Sequence, residues 1–553
     1  MKQLKILLAV LLVSVCLGIH KTKAATNKDK LILSTRSRME TAEGSGKFRV
    51  VYKKLEWKPS ETAIIICDMW NQHWCKGATR RVAELAPRIN EIVSKARDKG
   101  VLIVHSPSGT IGHYKDHPAR KRAQNATKAA NLPRDISKWC TWKSAKEKKA
   151  EYPIDQSDGG CDCEPKCKGG SPWRKQIETI EIRSEDAISD SGVEIWNLLE
   201  ERGIKNVILM GVHTNMCVLG RPFGLRNMAR YGRNVVLMRD MTDTMYNSRM
   251  RPYVSHFTGT ALIVKHIEKF VCPTITSTAF MGQRQFCFRN DKRLRVVFIS
   301  AEGEYKAAET LPEFAHELET KYGLRCELLQ GSTDRRSKER NYISGMEVLL
   351  KADLVLVFVR RRAFQTEQMK YLHDYLDRGK PLIGLRTASH AFDTRGNAPD
   401  GHVEWRKFDP EVLGGNYHGH YGSGPISTIT VAAGAESHPI LAGIKIPFTS
   451  NGSLYEVSPL SKSTKRLLTG TIPNKEPEPV AWTNTYKKAR IFYTSLGHPD
   501  DFKNPQFRRL LINAVFWAMD KPVPKAAATA KASSPAKKPS QTSNVQNFRI
   551  SDF

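Results

Sequence analysis

The feature that most constrains the fold is a repeated alternation of wholly apolar segments with segments of helical periodicity. The run TAIIICDM (62–69) precedes a helical pattern that Gly100 ends, and VLIVHS (101–106) and KNVILMGV (205–212) are further apolar runs. Strands that are apolar on both faces are typical of parallel sheets covered by helices on each side. The alternation therefore predicts an α/β fold, in which IETIEI (177–182) is a further strand.

The same alternation begins again after an irregular polar connector near Pro273, with the strand-like runs LRVVFIS, ADLVLVFV and KPLIGLR. At 553 residues the chain is too long for a single domain. We therefore predict two three-layer α/β domains, each with a mainly parallel sheet. The first spans residues 26–290 and the second spans residues 291–522.

The two ends of the chain differ from the domains between them. Residues 1–25 combine a charged start, a short apolar core and small residues at the end, which is typical of a signal peptide. We expect an exported protein, periplasmic or extracellular; a lipid anchor at Cys16 is the weaker alternative, because bulky Val15 precedes it. No later apolar run reaches the roughly 18 residues of a membrane span. The Ala/Lys/Pro/Ser-rich tail (523–553) is predicted to be disordered.

Lys and Arg outnumber Asp and Glu by 31. Such a charge favours contact with polyanions or anionic surfaces. The basic residues are interspersed with acidic ones, as in KSAKEKKAEY, and no aromatic-interleaved nucleic-acid motif is present. We therefore predict no specific nucleic-acid partner, and a solvated basic surface is the alternative to polyanion contact.

The sequence contains 11 cysteines, and the densest group is GGCDCEPKCKGG. Disulfides form in oxidising compartments. We therefore expect pairs among Cys140, Cys161, Cys163 and Cys167 to cross-link an insertion (106–174) that covers the first site. The spacing C-x-C-x3-C is not a standard four-ligand zinc spacing, so a metal is the alternative.

Two reactive side chains are predicted at the carboxyl edge of the first sheet, where parallel α/β sheets bind ligands. Asp68 follows the run IIIC, and Cys217 lies in GVHTNMCVLGRPFG, between a strand and a helix. A helix N-terminus favours the thiolate form of a cysteine, and Asp68 could hold or relay the proton. A buried cysteine and a helix-capping aspartate are the alternative interpretation.

ICDMWNQHWC, GVHTNMCV and RDMTDT resemble the isochorismatase-like cysteine hydrolases, which include the nicotinamidases, over about residues 50–272. The resemblance implies that Cys217 is the nucleophile and Asp68 the acid/base partner. It also implies a cis peptide bond before His213, an oxyanion hole of backbone N–H groups, and substrate contacts from His213 and Thr214. The implied substrate is a small amide.

The third catalytic member of that family, a lysine, is absent from the matching position. Counting back from Gly203 places that position at Ser184, with Arg183 beside it. An arginine cannot exchange protons but can lower the pKa of a thiol by its charge. Arg183 is therefore the candidate replacement; a lysine of the insertion and a catalytically impaired domain are the alternatives.

Some relatives hold a metal near this site with Asp and His ligands. His105, His113 and His117 are the corresponding candidates in this chain, and surface histidines are the alternative interpretation. The sequence singles out no particular metal or cofactor.

The second domain resembles the ThuA-like (trehalose utilisation) family, which shares the class I glutamine-amidotransferase fold, over about residues 293–520. GKPLIGLRTASHAF, LGGNYHGHYG and YTSLGHPDDFKNPQFRRLLINAVFWA carry the resemblance. Amidotransferases have a catalytic cysteine at the corner that GLRTASHAF matches, and this segment has none. The resemblance implies sugar-derived substrates rather than a glutaminase.

Four histidines of this domain are predicted to face one cleft: His390, His418, His420 and His498. His498 and Asp500 are the candidate acid/base pair, since a carboxylate can orient an imidazole and raise its pKa. The imidazoles could also bind a substrate or a metal. The alternative is that these glycine-flanked histidines only shape loops.

The sequence thus supports two functions. One is an exported hydrolase in which a cysteine-nucleophile, amidase-like module is joined to a carbohydrate-acting module. The other is a catalytically impaired binding protein that retains pockets for small molecules or sugars. The candidate catalytic residues favour the hydrolase, whereas the missing lysine and the missing corner thiol favour the binding protein.

Overall fold

The computed structural model describes residues 30–282, 285–334 and 336–525. The predicted signal peptide and most of the predicted tail lie outside the described residues. Within those residues, no helix has the length and apolar character needed to cross a membrane. The protein has a mixed α/β fold built on two large sheets, as the alternation predicts.

The elements of the N-terminal half are β1 (Leu31–Glu40), β2 (Phe48–Trp57), β3 (Thr62–Cys67), α1 (Lys76–Asp98), β4 (Leu102–Ser106), α2 (Pro118–Gln124), α3 (Ala145–Lys149), β5 (Ala187–Ile188), α4 (Gly192–Glu201), β6 (Asn206–Val212), α5 (Leu225–Arg230), β7 (Asn234–Asp243), α6 (His256–Phe270), β8 (Thr274–Ile275) and α7 (Thr278–Met281). In the described part, the first sheet has eight strands in the order β2-β1-β8-β7-β6-β3-β4-β5. The strands from β8 to β5 are parallel, and the β1–β2 hairpin adds an antiparallel edge. Apolar cores lie on both faces of the sheet, since alternate residues of the buried strands belong to different clusters.

One predicted strand is wrong. The segment IETIEI forms turns, and the edge of the sheet is instead the two-residue strand β5, in which Ala187 pairs with Val104. The reason is the spacing of the isoleucines. Ile177 and Ile180 are three residues apart and pack into the core through a turn closed by a hydrogen bond between their backbones.

The elements of the C-terminal half are β9 (Arg295–Ala301), α8 (Ala307–Tyr322), β10 (Arg325–Gln330), β11 (Leu354–Val359), β12 (Phe364–Gln365), α9 (Thr366–Asp377), β13 (Leu382–Leu385), β14 (His402–Val403), β15 (Gly419–His420), β16 (Ser427–Val431), β17 (Phe448–Ser450), β18 (Tyr455–Glu456), β19 (Lys465–Thr471), β20 (Glu478–Tyr486), β21 (Ala489–Thr494) and α10 (Pro505–Ala518). The main sheet of this half has nine strands among the described residues, in the order β10-β9-β11-β13-β21-β20-β19-β16-β17. Strands β10 to β21 of this order are parallel, and the others extend the sheet in antiparallel fashion. Helices α8 and α10 cover one face and α9 covers the other.

The β1–β2 hairpin joins the two halves. The Tyr52 hydroxyl donates to the carbonyl of Leu328 at 2.9 Å, and Arg36 pairs with both Glu268 (2.8 Å) and Glu327 (2.6 Å). A cavity of about 870 Å³ opens beside this contact, and none of the predicted catalytic residues lines it. The hairpin therefore belongs to the packing between the halves rather than to either predicted site.

Candidate functional site

Asp68 and Cys217 lie at the same edge of the N-terminal sheet. β3 and β6 are parallel neighbours, and Cys67 pairs with Gly211 at their carboxyl ends. Asp68 follows β3 directly, and Cys217 lies in the π-helical turn Thr214–Val218 after β6. Asp68 is completely buried and Cys217 is 9% exposed. The topology thus brings the two predicted residues together where parallel sheets bind ligands.

The Asp68 carboxylate is held by one backbone donor and one guanidinium. The N–H of Ser108 donates to Oδ1 at 2.8 Å, and Nε–H of Arg221 donates to Oδ2 at 3.2 Å. Asp68 has a φ of 48°, in the left-handed region that aspartate adopts only occasionally. Backbone strain of this kind persists where surrounding contacts fix it, and it is frequent at functional sites.

The Cys217 thiol is protonated at neutral pH. Burial raises the pKa of Cys217 to about 12; the positive charge of Arg221 opposes the rise, and the carboxylate of Asp68 adds to it. The expectation of thiolate character at a helix start is therefore wrong for the resting protein, because burial outweighs the backbone dipole. Chemistry at the sulfur requires an acceptor for its proton, and Asp68 is in place to accept it.

The guanidinium beside the pair belongs to Arg221, not to Arg183. The Arg183 side chain pairs with Glu181 at 3.1 Å, in the turn region that was expected to be a strand. Arg221 follows Cys217 by four residues, and its N–H donates to the Cys217 carbonyl, so one helical turn returns its side chain to the site. The four-residue spacing in CVLGR was the sequence signal that could have identified Arg221.

His213 and Thr214 have different surroundings. The peptide bond between Val212 and His213 is cis, as the family resemblance implies. Thr214 is fully buried, and its hydroxyl bonds Thr242 Oγ1 at 2.7 Å, so it anchors the turn internally. Nε2 of His213 is buried and has no hydrogen-bond partner among the described residues. Of the two predicted substrate contacts, His213 is the one with a free polar atom.

A group of stacked aromatic rings packs beside His213. The rings of His73 and His213 lie 4.8 Å apart, His73 stacks on Trp173 at 5.7 Å, and Trp173 stacks on Trp70 at 4.6 Å. Burial lowers the pKa of His73 to about 4 and lowers that of His213 as well. Both imidazoles are therefore neutral at pH 7, so this group of stacked rings carries no charge.

The three histidines considered as metal ligands are engaged separately. His105 is completely buried, with Nδ1 3.0 Å from Oε1 of Gln176 and Nε2 3.1 Å from Oδ2 of Asp186. The alternative interpretation, that these are surface histidines, is therefore wrong for His105. His113 packs edge-on against Tyr114, and His117 caps α2 through Nδ1. In the described part of the chain these three histidines do not form a group close enough to share a metal ion.

The insertion covers the first site, but not through disulfides. In the described residues all ten cysteines are free. The Tyr152 hydroxyl donates to the Asn215 carbonyl at 3.1 Å, and the N–H of Cys140 donates to the Gly220 carbonyl at 2.8 Å, both beside Cys217. Hydrogen bonds to main-chain carbonyls next to Cys217 therefore hold the cover, and the expected cross-links do not close it.

The corner after β13 carries a buried arginine. Arg386 has a φ of 41°, its guanidinium donates to the Ser495 carbonyl at 2.7 Å, and its Nε has no partner among the described residues. The guanidinium carbon lies 4.1 Å from the ring centre of Tyr305 and 4.7 Å from that of Tyr455. A cation held between two aromatic rings thus occupies the carboxyl edge of the second sheet.

Two of the four predicted histidines lie near Tyr455. The His390 ring is 6.1 Å and the His420 ring 6.3 Å from it, and Tyr417 stacks on His390 at 4.4 Å. His418 is exposed and points toward Glu456 instead, with Nε2 3.8 Å from its carboxylate. His418 therefore diverges from the group that surrounds Tyr455.

His498 joins the same region through Tyr305, whose ring is 6.4 Å away. Its Nδ1 accepts the backbone N–H of Asp500 at 3.3 Å, whereas the Asp500 carboxylate is held by Asn451 and Lys503. An accepting Nδ1 places the ring proton on Nε2. The Asp500 backbone N–H orients the imidazole, and Oδ2 of the Asp500 carboxylate lies 3.5 Å from the same Nδ1, so the two predicted residues are neighbours.

Asp501 was not identified from the sequence. One oxygen of its buried carboxylate accepts the N–H groups of Gly497 (2.8 Å) and His498 (2.9 Å). Asp501 therefore fixes the loop that presents His498. The repeated acid in GHPDDF was the signal, but the sequence could not distinguish which aspartate faces the loop backbone.

Most of the C-terminal half matches a known family model. Residues 295–518 match the family model ThuA, described as trehalose utilisation. This stretch is a ThuA-like domain. A solved ThuA-like protein from Parabacteroides merdae is 15% identical, with coverage of 42% of this chain and 93% of that protein and a TM-score of 0.34.

Solved structures similar to the N-terminal part include a cysteine hydrolase and an isochorismatase family protein. A cysteine hydrolase from Pseudomonas syringae pv. phaseolicola is 16% identical, covering 40% of this chain and 91% of its own, with a TM-score of 0.25. An isochorismatase family protein from Burkholderia thailandensis is 13% identical, covering 40% and 95%, with a TM-score of 0.24. No curated protein matches the chain.

The chemistry of the ThuA-like domain differs from that of a thiol enzyme. Its corner residue is Arg386, which offers a fixed positive charge and hydrogen-bond donors but no nucleophile. The rings of Tyr305 and Tyr417 are only partly buried, so they border solvent beside that charge. A fixed charge beside partly exposed rings can bind a polar, ring-shaped ligand, and an imidazole next to them can donate or accept a proton.

Proposed function

We propose that the protein is an exported two-domain hydrolase whose N-terminal domain cleaves a small amide. The observation that carries this proposal is the contact of Cys217 with Asp68, at a carboxyl sheet edge where Arg221 supplies a positive charge. A nucleophile, a proton acceptor and a fixed charge are the parts that acyl transfer through a thiol requires. In this proposal Arg221, rather than Arg183, takes the electrostatic part of the missing lysine.

The reaction begins with proton transfer from the Cys217 thiol to the Asp68 carboxylate. The thiolate sulfur attacks the amide carbon, the carbon–nitrogen bond breaks, and protonated Asp68 returns the proton to the leaving nitrogen. Water then attacks the thioester, with Asp68 accepting its proton, and the released thiolate is reprotonated. Arg221 offsets the negative charge while it is shared between sulfur and carboxylate.

The flat wall formed by Trp70, Trp173 and His73 favours an amide on an aromatic or planar ring. Stacked rings bind planar groups without requiring charge, and the neutral imidazoles match an uncharged substrate. Nε2 of His213 supplies a hydrogen-bonding atom beside this wall.

The test is release of ammonia from a panel of aromatic and aliphatic primary amides. Cys217→Ala and Asp68→Asn are expected to abolish it, while Cys272→Ala retains it. Cys272 is a matched control, because it is also buried and burial raises its pKa to about 12 as well. Activity that persists in Cys217→Ala would refute nucleophilic catalysis at this position.

For the ThuA-like domain we propose binding and cleavage of a sugar-derived ligand next to Tyr305, Tyr455 and His498. The supporting observation is a cation between aromatic rings with an imidazole beside it. In calorimetric titration with mono- and disaccharides, His420→Ala should weaken binding and His418→Ala should not, since only His420 neighbours Tyr455. Equal effects of the two variants would contradict this location.

Two outcomes distinguish the hydrolase from the alternative of a binding protein that has lost its chemistry. Ligand binding by both domains with no turnover of any amide or glycoside would favour the binding protein. Export is tested separately by the mass of the mature chain after expression in a bacterial host, where cleavage near Thr26 is expected.

A further inference from the structure

Three thiols of one short loop meet the thiol of Cys75 at the start of α1. The sulfurs of Cys75, Cys161 and Cys163 all lie within 4.8 Å of one another, and those of Cys75 and Cys163 are 3.8 Å apart. Cys167 packs against this group, and its thiol interacts with those of Cys161 and Cys163. Among the residues that the structure describes, these first three form the one group of His, Cys, Asp or Glu close enough to share a metal ion.

We propose that these four cysteines bind a structural zinc ion. Zinc with four thiolates is tetrahedral with zinc–sulfur distances of about 2.3 Å, which sets the sulfurs about 3.8 Å apart. That is the separation of Cys75 and Cys163. A disulfide would instead bring two sulfurs to about 2.05 Å. The sulfurs also form one cluster around a common centre, which is the arrangement of metal ligands and not that of two separate disulfide pairs.

Backbone donors around the sulfurs suit thiolate ligands. The N–H of Lys76 points to the sulfur of Cys167 (3.5 Å) and the N–H of Gly77 to that of Cys163 (3.2 Å). Both belong to the first turn of the 23-residue helix α1, where the backbone carries partial positive charge. Hydrogen bonds to the ligands and nearby positive charge are the usual outer surroundings of a metal centre, and they offset a negative tetrathiolate.

A cation lies beside the cluster. Arg81 donates to Asp162, the residue between two of the ligands, at 2.8 Å, and also to Asp243 at the end of β7. A side chain at Gly77 would come within 2.6 Å of the Asp162 carboxylate, so this position needs a glycine for the close approach. The ligand loop is therefore tied to the helix both by the sulfurs and by an ion pair.

The zinc site would fix the cover of the candidate active site. The ligand loop packs on the segment after β7: a side chain at Gly160 would come within 2.4 Å of the Met245 carbonyl. The backbone of Met245 in turn exchanges two hydrogen bonds with the Asn215 amide, each 3.0 Å long, two residues before Cys217. The metal thus connects the insertion to the Cys217 turn, which gives it a positioning role and no part in the reaction.

The first experiment measures metals in the untagged, full-length mature protein by elemental mass spectrometry. We expect about one zinc per chain, and its release when a mercurial reagent blocks the thiols. Cys163→Ser and the milder Cys167→Ser should lose most of the zinc. Cys140→Ser is the matched control: it lies in the same insertion, its thiol donates to the Trp142 carbonyl, and it should retain the full zinc content.

The second experiment does not depend on whether the variants fold. Intact wild-type protein, alkylated under denaturing and non-reducing conditions in the presence of a chelator, should show all four thiols free. Protein stripped of zinc and refolded with Co²⁺ should gain the visible absorption of a tetrahedral thiolate complex. Disulfides among the four, iron in place of zinc, or free thiols that bind neither zinc nor cobalt would each overturn the proposal.

Discussion

The state of the Cys217 thiol gives the sharpest test of the candidate site. With a pKa of about 12, roughly one thiol in ten thousand is ionised at pH 8, against about a quarter of the molecules of an ordinary cysteine. Because the thiolate is the reactive form, alkylation should be at least about a thousandfold slower than that of a cysteine peptide. The rate should rise about tenfold per pH unit from pH 7 to 10 without reaching a plateau.

Two variants should shift this rate in opposite directions. Arg221 lowers the pKa of the thiol and Asp68 raises it. Arg221→Met should therefore slow alkylation, whereas Asp68→Asn should accelerate it. Asp68→Asn should also abolish amide hydrolysis, because the proton acceptor is lost while the thiol becomes easier to ionise. No general damage to the site would produce that combination.

The assay is mass-spectrometric quantification of iodoacetamide adducts on the tryptic peptide that begins at Asn206 and contains Cys217. Cys272→Ala is the control, because it removes a different buried thiol and should leave the alkylation rate of Cys217 unchanged. A plateau below pH 9, or rates that move in the same direction in both variants, would refute the electrostatic reasoning. A plateau would mean that the resting enzyme already holds a thiolate.

Three further outcomes follow from buried charges. Arg221→Met should lower the free energy of unfolding by about 3 kcal/mol in urea titration, because it leaves the Asp68 carboxylate buried without its partner; a neutral effect would contradict the pairing. Although burial raises it, the pKa of Asp186 is held at about 2 by His105 and Arg97. Asp186→Asn should therefore lower the free energy of unfolding by about 2–3 kcal/mol at pH 7. The difference between the variant and the wild type should shrink as the pH falls from about 4 toward 2, because the stabilisation is lost when the Asp186 carboxylate is protonated. Arg386→Lys should lower the melting temperature in calorimetry, since lysine cannot donate from a plane stacked between two rings; an unchanged melting temperature would show that the stacking contributes little.

The order of strands and helices was predictable because each buried strand reads as a continuous apolar run. β3, β6, β9, β11 and β13 lie where those runs predict, and the parallel sheet follows from their alternation with helices. The exception, IETIEI, is short and has no strict period, so a turn and a strand fit its pattern equally well. The β1–β2 hairpin was not identified, because its exposed face mixes charged and apolar residues.

The candidate pair was accessible to sequence reasoning for a geometric reason. Asp68 and Cys217 each follow a buried strand, and the carboxyl ends of parallel neighbours meet at one edge. Arg221 was not identified, because a lysine was sought by its position in a family pattern rather than a cation by its helical spacing from Cys217. The thiol pKa could not be read from the sequence either, since it depends on burial by the insertion.

The sequence by itself determined what local pattern encodes: two α/β halves, the carboxyl-edge location of Asp68 and Cys217, and the ThuA resemblance of the second half. Only the tertiary structure decided which side chains meet when they are separated by tens or hundreds of residues. It brought Cys75 to Cys161 and Cys163, gave Asp68 the guanidinium of Arg221, and turned His418 away from Tyr455. The physical reason is that periodicity specifies which face of an element is buried, whereas the packing of whole elements fixes the distances, burial and charges on which the chemistry of a site depends.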